Sequence, residues 1–332
     1  MNLIVRHSAS AYSEIVDFLV SECGFSDLHR VKQSNAIRSK ASYLRSLIWD
    51  AVWLFRNRRR IENTSVLCIG WTTAVLLLLT SIKLLRPRKV IWWAFFVHSR
   101  RARRLMYRMR SLFRCADLEI VVFSETECNQ YAELLGLGYD KFHYFLYGDW
   151  SRQSKTETSS SDGSYYFSGG YSNRDYRTLI DVFKESQYQL VIAASAKNKE
   201  LPSKQNIPEH ITVELDVPSE RFETLLLKSK AVILPFKSET GASGQSVMLR
   251  CLRNGKAVIA NANSTISEYL IDEYNGVICF SLNDELMPVV ERLEKEPALI
   301  KQYGEHSSRL FDERFSRKAM EQQLKSLLEE IL

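Results

Sequence analysis

The chain has 332 residues, 45% of them hydrophobic and 25% charged; this excludes disordered and collagen-like chains and leaves room for two domains. The net charge of +6 is unevenly placed. Residues 1–150 hold 22 Lys and Arg against 13 Asp and Glu, a net of +9, and the remainder carries −3. Such a split sets one half against an anionic partner: nucleic acid, an acidic lipid surface or a phosphorylated substrate.

In chain order, Asn2–Arg6 reads as a short apolar strand, and Ala11–Cys23 has helical periodicity. Ala41–Arg58 (ASYLRSLIWDAVWLFRNR) is a strongly amphipathic helix. Val66–Gly70 is a buried strand, followed by the apolar helix 71–85. That helix is shorter than the roughly 20 residues of a bilayer span, and Lys83 interrupts it. Arg86-Pro87-Arg88 breaks the chain, Val90–Val97 (VIWWAFFV) is a strand, and the Arg-rich segment 99–114 is helical. After the strand Leu118–Phe123, Ser124 is placed to cap a helix, with Glu127 completing a capping box and Gly136 as the stop. Phe142–Tyr147 closes this half.

Ser151–Ser164 is Ser-rich and polar and reads as a linker. Beyond it, Tyr165–Ser168, Leu190–Ala194, Thr212–Leu215, Ala231–Pro235, Ala257–Ala260 and Gly276–Phe280 read as strands. Helices at 175–186, 219–229 and 244–254 lie between them, a short helix starts at Glu268, and the chain is helical from Asp284. Strand and helix alternating in both halves predict parallel sheets with helices on both faces, and ligands at the carboxyl ends of the strands. The six cysteines (Cys23, Cys68, Cys115, Cys128, Cys251 and Cys279) have no metal-ligand spacing and fit free thiols in a reducing, cytoplasmic setting. The start, MNLIVRHSAS, lacks the apolar core of a signal peptide.

Two segments carry chemistry. In Phe167-Ser-Gly-Gly-Tyr-Ser-Asn-Arg174, a strand ends at Gly169-Gly170 and a helix opens near Asn173. The glycines permit close approach of a ligand, the helix N-terminus favours an anion, and Arg174 adds a fork suited to phosphate oxygens. A plain strand-to-helix turn with a solvated arginine reads equally well from these residues. The second segment runs from Leu234-Pro235 through a polar loop with Glu239 and Ser243 to a helix opening at Gly244, Gln245 and Ser246, with Gly255 as its stop. Its amides, hydroxyls and Gln245 suit a diphosphate, and the loop is richer in Ser and Gly than a helix cap requires.

On these residues the C-terminal half resembles the donor domain of GT-B glycosyltransferases, in particular group 1-like bacterial enzymes of capsule, exopolysaccharide and lipopolysaccharide synthesis. The likeness rests on residues 167–183, on 219–260 with its run Gly-Lys-x-Val-Ile-Ala, on 264–278 (STISEYLIDEYNGVI), and on Phe315-Ser316 before a terminal helix. It implies an α/β fold of two facing Rossmann-like domains (GT-B). The divisions are residues 1–150 as acceptor and membrane-facing domain, 151–164 as linker, 165–315 as nucleotide-sugar domain, and 316–332 as a helix packing back on the first domain. It further implies a metal-independent, hexosyltransferase-like enzyme moving a sugar from a nucleotide-diphosphate-sugar to a lipid-linked or polysaccharide acceptor. The nucleotide-sugar is a substrate, no cofactor is expected, and no Asp-x-Asp motif occurs. Donor contacts fall on Gly169, Gly170, Arg174, Glu239, Ser243, Gly244, Gln245, Ser246 and Glu268. The chain departs from the family where many retaining members carry two glutamates seven residues apart: counting back from Gly255, those positions hold Ala242 and Arg250. Glu239 and Glu268 are the candidate replacements.

The first half offers His98 after VIWWAFFV, where similar enzymes often carry a histidine facing the sugar, and Glu125 as an acceptor-activating base. For Glu125, a first-turn carboxylate favouring the helix dipole is the simpler reading. Arg100, Arg101, Arg103, Arg104 and Arg108, interleaved with Leu105, Met106 and Tyr107, form a basic amphipathic helix suited to the anionic inner face of the plasma membrane. Competing readings are a catalytically inactive GT-B-like scaffold or regulatory subunit and another GT-B enzyme such as a sugar-nucleotide epimerase. Nucleic-acid binding is disfavoured because no motif for it accompanies the arginines.

Overall fold

The computed structural model describes residues 2–6, 12–29, 40–97, 99–151, 163–198, 201, 206–237, 244–263 and 266–332. These form two compact units, Met1–Leu146 with Met320–Leu332, and Tyr147–Ala319.

In the first unit, β1 (Asn2–Arg6), β2 (Phe25–His29), β3 (Ser65–Ile69), β4 (Lys89–Trp93), β5 (Leu118–Val122) and β6 (Phe142–Tyr144) form one sheet in the order β2-β1-β3-β4-β5-β6. Every pairing is parallel. The central strands SVLCI, KVIWW and LEIVV are apolar runs without alternation because both faces of the sheet are covered. The edge strand β2, FSDLH, escapes the sequence reading because only Phe25 and Leu28 are buried. It is tied to β1 by Asp27, which accepts from Arg6 at 2.6 Å.

Helices surround the sheet: α1 (Ser13–Glu22), α2 (Lys40–Arg56), the single turn α3 (Arg58–Ile61), α4 (Thr72–Ser81), α5 (Arg100–Arg108) and α6 (Glu125–Leu135). The apolar helix expected over 71–85 is shorter, ending at Ser81, and no described helix is long and apolar enough to cross a membrane. The Arg-rich helix also ends early, passing into a 3-10 turn at Arg110–Arg114. The capping box at Ser124 does not form. Glu127 is buried and accepts from Tyr131 Oη at 3.1 Å, so its carboxylate is drawn into the core and away from the helix start. Gly136 ends α6 in the left-handed conformation, as read from the sequence. From the last helix, α12 (Arg317–Ile331), residues 320–332 belong to this unit, where Lys89 Nζ donates to Ile331 O at 2.6 Å.

In the second unit, β7 (Tyr166–Gly169), β8 (Leu190–Ala194), β9 (Ile211–Leu215), β10 (Val232–Leu234), β11 (Val258–Asn261) and β12 (Gly276–Cys279) form a parallel sheet in the order β12-β11-β10-β7-β8-β9. Around it lie α7 (Tyr176–Phe183), α8 (Ser219–Leu227), α9 (Gln245–Arg253), α10 (Leu282–Lys295) and α11 (Pro297–Leu310). The helix expected near Asn173 opens three residues later. Asn173 is left-handed (φ 50°), and Asp175 caps α7 by accepting from Thr178 N at 3.1 Å. The short helix expected from Glu268 is a 3-10 turn ending there, Ile266–Glu268.

Candidate functional site

The second sheet reverses direction beside β7. The chain passes outward from β7 through β8 to β9, then returns to place β10 on the other side of β7. Loops leaving neighbouring strands in opposite directions open a crevice at the carboxyl ends. Four pieces meet there: Gly169-Gly170 at the end of β7, the turn into α7, Phe236 just past β10, and Gly244 at the start of α9.

Arg174 sits at the centre. Its backbone forms an isolated antiparallel bridge with Phe236, and Asp175 N donates to Pro235 O at 2.9 Å, which sews the two loops together. The side chain is 2% exposed. Its Nε donates to Gly169 O at 3.2 Å and its Nη1 to Ser172 O at 3.1 Å, and the guanidinium lies 4.6 Å over the Phe236 ring. Burial draws its pKa below the ordinary arginine value, yet a guanidinium stays charged. Among the described residues no carboxylate pairs with it and no acceptor reaches Nη2. That nitrogen lies 2.8 Å from where a Cβ on Gly170 would stand and 3.4 Å from one on Gly244.

This geometry corrects the reading of the glycines as room for a ligand. A Cβ on Gly169 would strike the Phe222 ring, one on Gly170 would strike Arg174, and one on Gly244 would come within 2.7 Å of Phe236. The space is filled by the chain's own aromatic and guanidinium groups. The solvated arginine is excluded equally.

Helix α9 starts at Gly244 (φ 92°) with no side-chain cap. Both Val247 N and Met248 N return to Gly244 O, at 3.1 and 2.9 Å, so the earlier amides point out of the N-terminus beside Arg174. The helix is anchored at both ends to the segment where the chain enters this unit. Gln245 Nε2 donates to Tyr269 Oη at 3.3 Å, and Tyr269 Oη donates to Tyr147 O at 2.8 Å. Tyr269 is fully buried and stacks on Phe315 at 4.7 Å. At the other end Arg253 binds Asp149 at 2.9 Å and Glu223 at 3.1 Å. Phe222, Phe236, Tyr269 and Asp149 went unnoticed in the sequence; each is a single residue whose role depends on a partner distant along the chain.

Of the remaining donor candidates, Ser246 is exposed on the first turn of α9, and Glu268 is half-buried next to Tyr269. Glu239 and Ser243 lie outside the described residues. Arg250, one of the two positions where the family resemblance leads one to expect a glutamate, lies 5.2 Å over Phe222 and donates to Ser219 Oγ at 3.2 Å. Lys256 is buried and caps the end of α8, donating to Leu227 O at 2.7 Å and Ser229 O at 2.8 Å; burial pulls its ammonium down to about 8.

In the first unit His98 lies outside the described residues. Glu125 is exposed on the first turn of α6. Residues Gly70, Trp71, Trp92, Ala94, Phe95, Phe96, Val97 and Met106 line a small, shallow apolar hollow of about 40 Å³ beyond the carboxyl ends of β3 and β4. Arg100, Arg101, Arg104 and Arg108 are exposed and Arg103 is half-buried. Ser99 caps their helix, its Oγ accepting from Ala102 N at 3.1 Å. All six cysteines are free. Burial pushes Cys68, Cys251 and Cys279 up to about 12, which keeps them as inert thiols. Among the described residues no three His, Cys, Asp or Glu side chains gather as a metal site.

Residues 165–309, the span that builds this crevice, match the family model of glycosyl transferases group 1. The second unit is a glycosyltransferase domain. Solved structures of similar fold cover the whole chain. Sucrose-phosphate synthase from Thermosynechococcus elongatus matches with a TM-score of 0.72 at 13% identity, over 100% of this chain and 99% of that one. HepE from Anabaena, in complex with UDP-glucose, matches at 0.68 and 11% identity, over 99% and 100%. The lipopolysaccharide outer core galactosyltransferase WaaB matches at 0.68 and 12% identity, over 100% of each chain. Identities this low establish the fold, which is GT-B with two Rossmann-like units. No curated protein matches the sequence.

Proposed function

We propose that this glycosyltransferase moves a sugar from a nucleotide-diphosphate-sugar to a lipid-linked or polysaccharide acceptor in the synthesis of a bacterial surface glycan. The observation that carries the proposal is the buried Arg174 guanidinium, without a carboxylate partner among the described residues, beside the N-terminus of α9 at Gly244, at the switch point of the sheet. A departing nucleoside diphosphate gathers negative charge as the glycosidic bond breaks. A fixed guanidinium and helix amides in a low-dielectric crevice stabilise that charge without reorganising. In this reading Arg174 Nη2 and the first-turn amides of α9 take the diphosphate, and no cofactor is used. Gln245 is held against Tyr269, Ser246 and Glu268 are assigned to the donor, and Gly169, Gly170 and Gly244 keep Arg174 and its aromatic neighbours in place; Ser243 and Glu239 are assigned to the donor from the sequence alone. HepE with UDP-glucose and the galactosyltransferase WaaB support a nucleotide-sugar donor and a glycan acceptor.

The first unit supplies the acceptor side, with His98 and Glu125 as the candidate proton-transfer groups. Its basic helix α5 rests on the anionic inner face of the plasma membrane, where a lipid-diphosphate-linked acceptor is found, so the enzyme works peripherally from the cytoplasm. The test is a thermal-shift panel of UDP-, GDP-, ADP- and CMP-linked sugars, with the best ligand carried into a transfer assay on membrane extracts. Stabilisation by at least one diphosphate donor is expected. Stabilisation by none favours the inactive scaffold.

A further inference from the structure

Helix α2 carries a surface that the donor site does not use. Its inward side buries Ser46, Asp50 and Leu54. Its outward side presents Ile48 (57% exposed), Trp49 (58%), Val52 (37%) and Phe55 (40%). At 100° per residue these four, with Arg45 and Arg56, fall within a single arc of about 120°. Large apolar chains grouped in this way are uncommon on a solvated helix, and Trp and Phe are among the most costly to leave wet.

The exposed charge on α2 and α3 themselves is of one sign, with Glu62 following just past the end of α3. Arg45 and Arg56 stand at its two ends, and Arg58, Arg59 and Arg60 follow in α3, all exposed. Among the described residues no carboxylate pairs with any of the five. The one acidic residue in 40–61, Asp50, is buried and accepts from Thr72 Oγ1 at 3.5 Å. Arg58 folds over the Phe55 ring at 4.7 Å, so cation and apolar surface are presented together. The neighbouring helix α4 leaves Leu78 exposed as well, and so is Ile82 just past its end. An acidic protein partner would satisfy the arginines, but an aromatic and aliphatic stripe flanked by exposed arginines matches the boundary between headgroups and acyl chains of an anionic bilayer.

We propose that the Ile48-Trp49-Val52-Phe55 face of α2 inserts into an anionic lipid surface, with Arg45, Arg56 and Arg58–Arg60 on the headgroups. The proposal rests on the membrane-facing reading of the first unit and moves the anchor from α5 to α2: α5 contributes charge, and α2 contributes the apolar insertion that salt does not screen.

The experiment is co-sedimentation of the full chain with vesicles of mixed phosphatidylethanolamine and phosphatidylglycerol, against vesicles of phosphatidylcholine alone. Binding to the anionic vesicles is expected to persist in part at high salt. The double variant W49S/F55S should weaken it roughly a hundredfold, about tenfold for each apolar chain withdrawn from the interface. Its thermal unfolding and its thermal shift with a nucleotide-sugar should be unchanged, because both residues are exposed in the unit that lacks the donor crevice. Unweakened binding by W49S/F55S, with release by Arg-to-Gln changes in α5, would overturn the α2 anchor and leave the α5 reading standing. A wild-type dimer that the double variant converts to monomer would overturn it in favour of a second copy of this chain. Failure of the wild type to bind anionic vesicles would remove the membrane reading altogether, and the donor thermal shift would still report on glycosyl transfer separately.

Discussion

Replacing Arg174 with Met tests whether the central guanidinium does more than staple two loops. Met keeps an apolar stem over Phe236 and removes the donors to Gly169 O and Ser172 O. A buried carbonyl left without its donor costs about 1–3 kcal/mol, and the lost cation–π contact about 0.5–2 kcal/mol. Part of this is offset because a desolvated cation is also removed, so a net loss of about 2 kcal/mol is expected, or roughly 4–8 °C in the melting midpoint of a unit this size. Donor binding should fall separately. A charge-assisted hydrogen bond to phosphate contributes about 1.5–3 kcal/mol, which is a ten- to hundredfold weaker Kd. Calorimetric titration with the best nucleoside diphosphate, well below the melting temperature of the variant, isolates the second effect from the first. A variant that melts earlier but binds the diphosphate with unchanged affinity would show that Arg174 is purely structural, and would refute its assignment to the leaving group.

Other outcomes follow from the same structure. Gly244→Ala should lower the midpoint by about 2–8 °C and weaken donor binding, because φ of 92° is costly for an L-residue and its Cβ would press on Phe236; scanning calorimetry with and without donor checks both. Changing Arg100, Arg101, Arg103 and Arg104 together to Gln should flatten the salt dependence of vesicle binding, measured by co-sedimentation across a salt series. Lys256→Met should destabilise the second unit by about 1–3 kcal/mol, since Leu227 O and Ser229 O lose their donor. The Lys256 ammonium titrates near 8 when folded and near 10.4 when unfolded, so the unfolded chain holds the extra proton between those values. Stability from this group therefore rises with pH across about 8 to 10, and the wild type should gain on K256M over that window in urea titrations.

Much of the architecture was readable because it depends on local patterns. Runs such as VLCIG and LEIVVF are short, apolar and rich in β-branched residues, which reads as strands buried on both faces, and the stops at Gly136 and Gly255 need only a backbone that tolerates left-handed φ. The same locality explains the errors. Glu127 has the spacing of a capping box, but Tyr131 one turn on offers a buried hydroxyl, and the carboxylate turns inward to it. The edge strand β2 has too few buried positions to announce itself, and is held by a parallel partner 23 residues away.

By itself, then, the sequence determined two α/β halves and a basic first half, since composition and periodicity are properties of the chain alone, and the segments of its second half resemble a group 1 glycosyltransferase domain. Only the tertiary structure decided what those segments do to one another. Gly169, Gly170 and Gly244 proved to be places where Phe222, Arg174 and Phe236 fit. Tyr269 and Asp149 proved to hold α9 at its two ends. The apolar residues of α2 divided into a buried side and an exposed one. Each of these depends on which surfaces packing covers, and that is set by contacts between residues far apart in the chain.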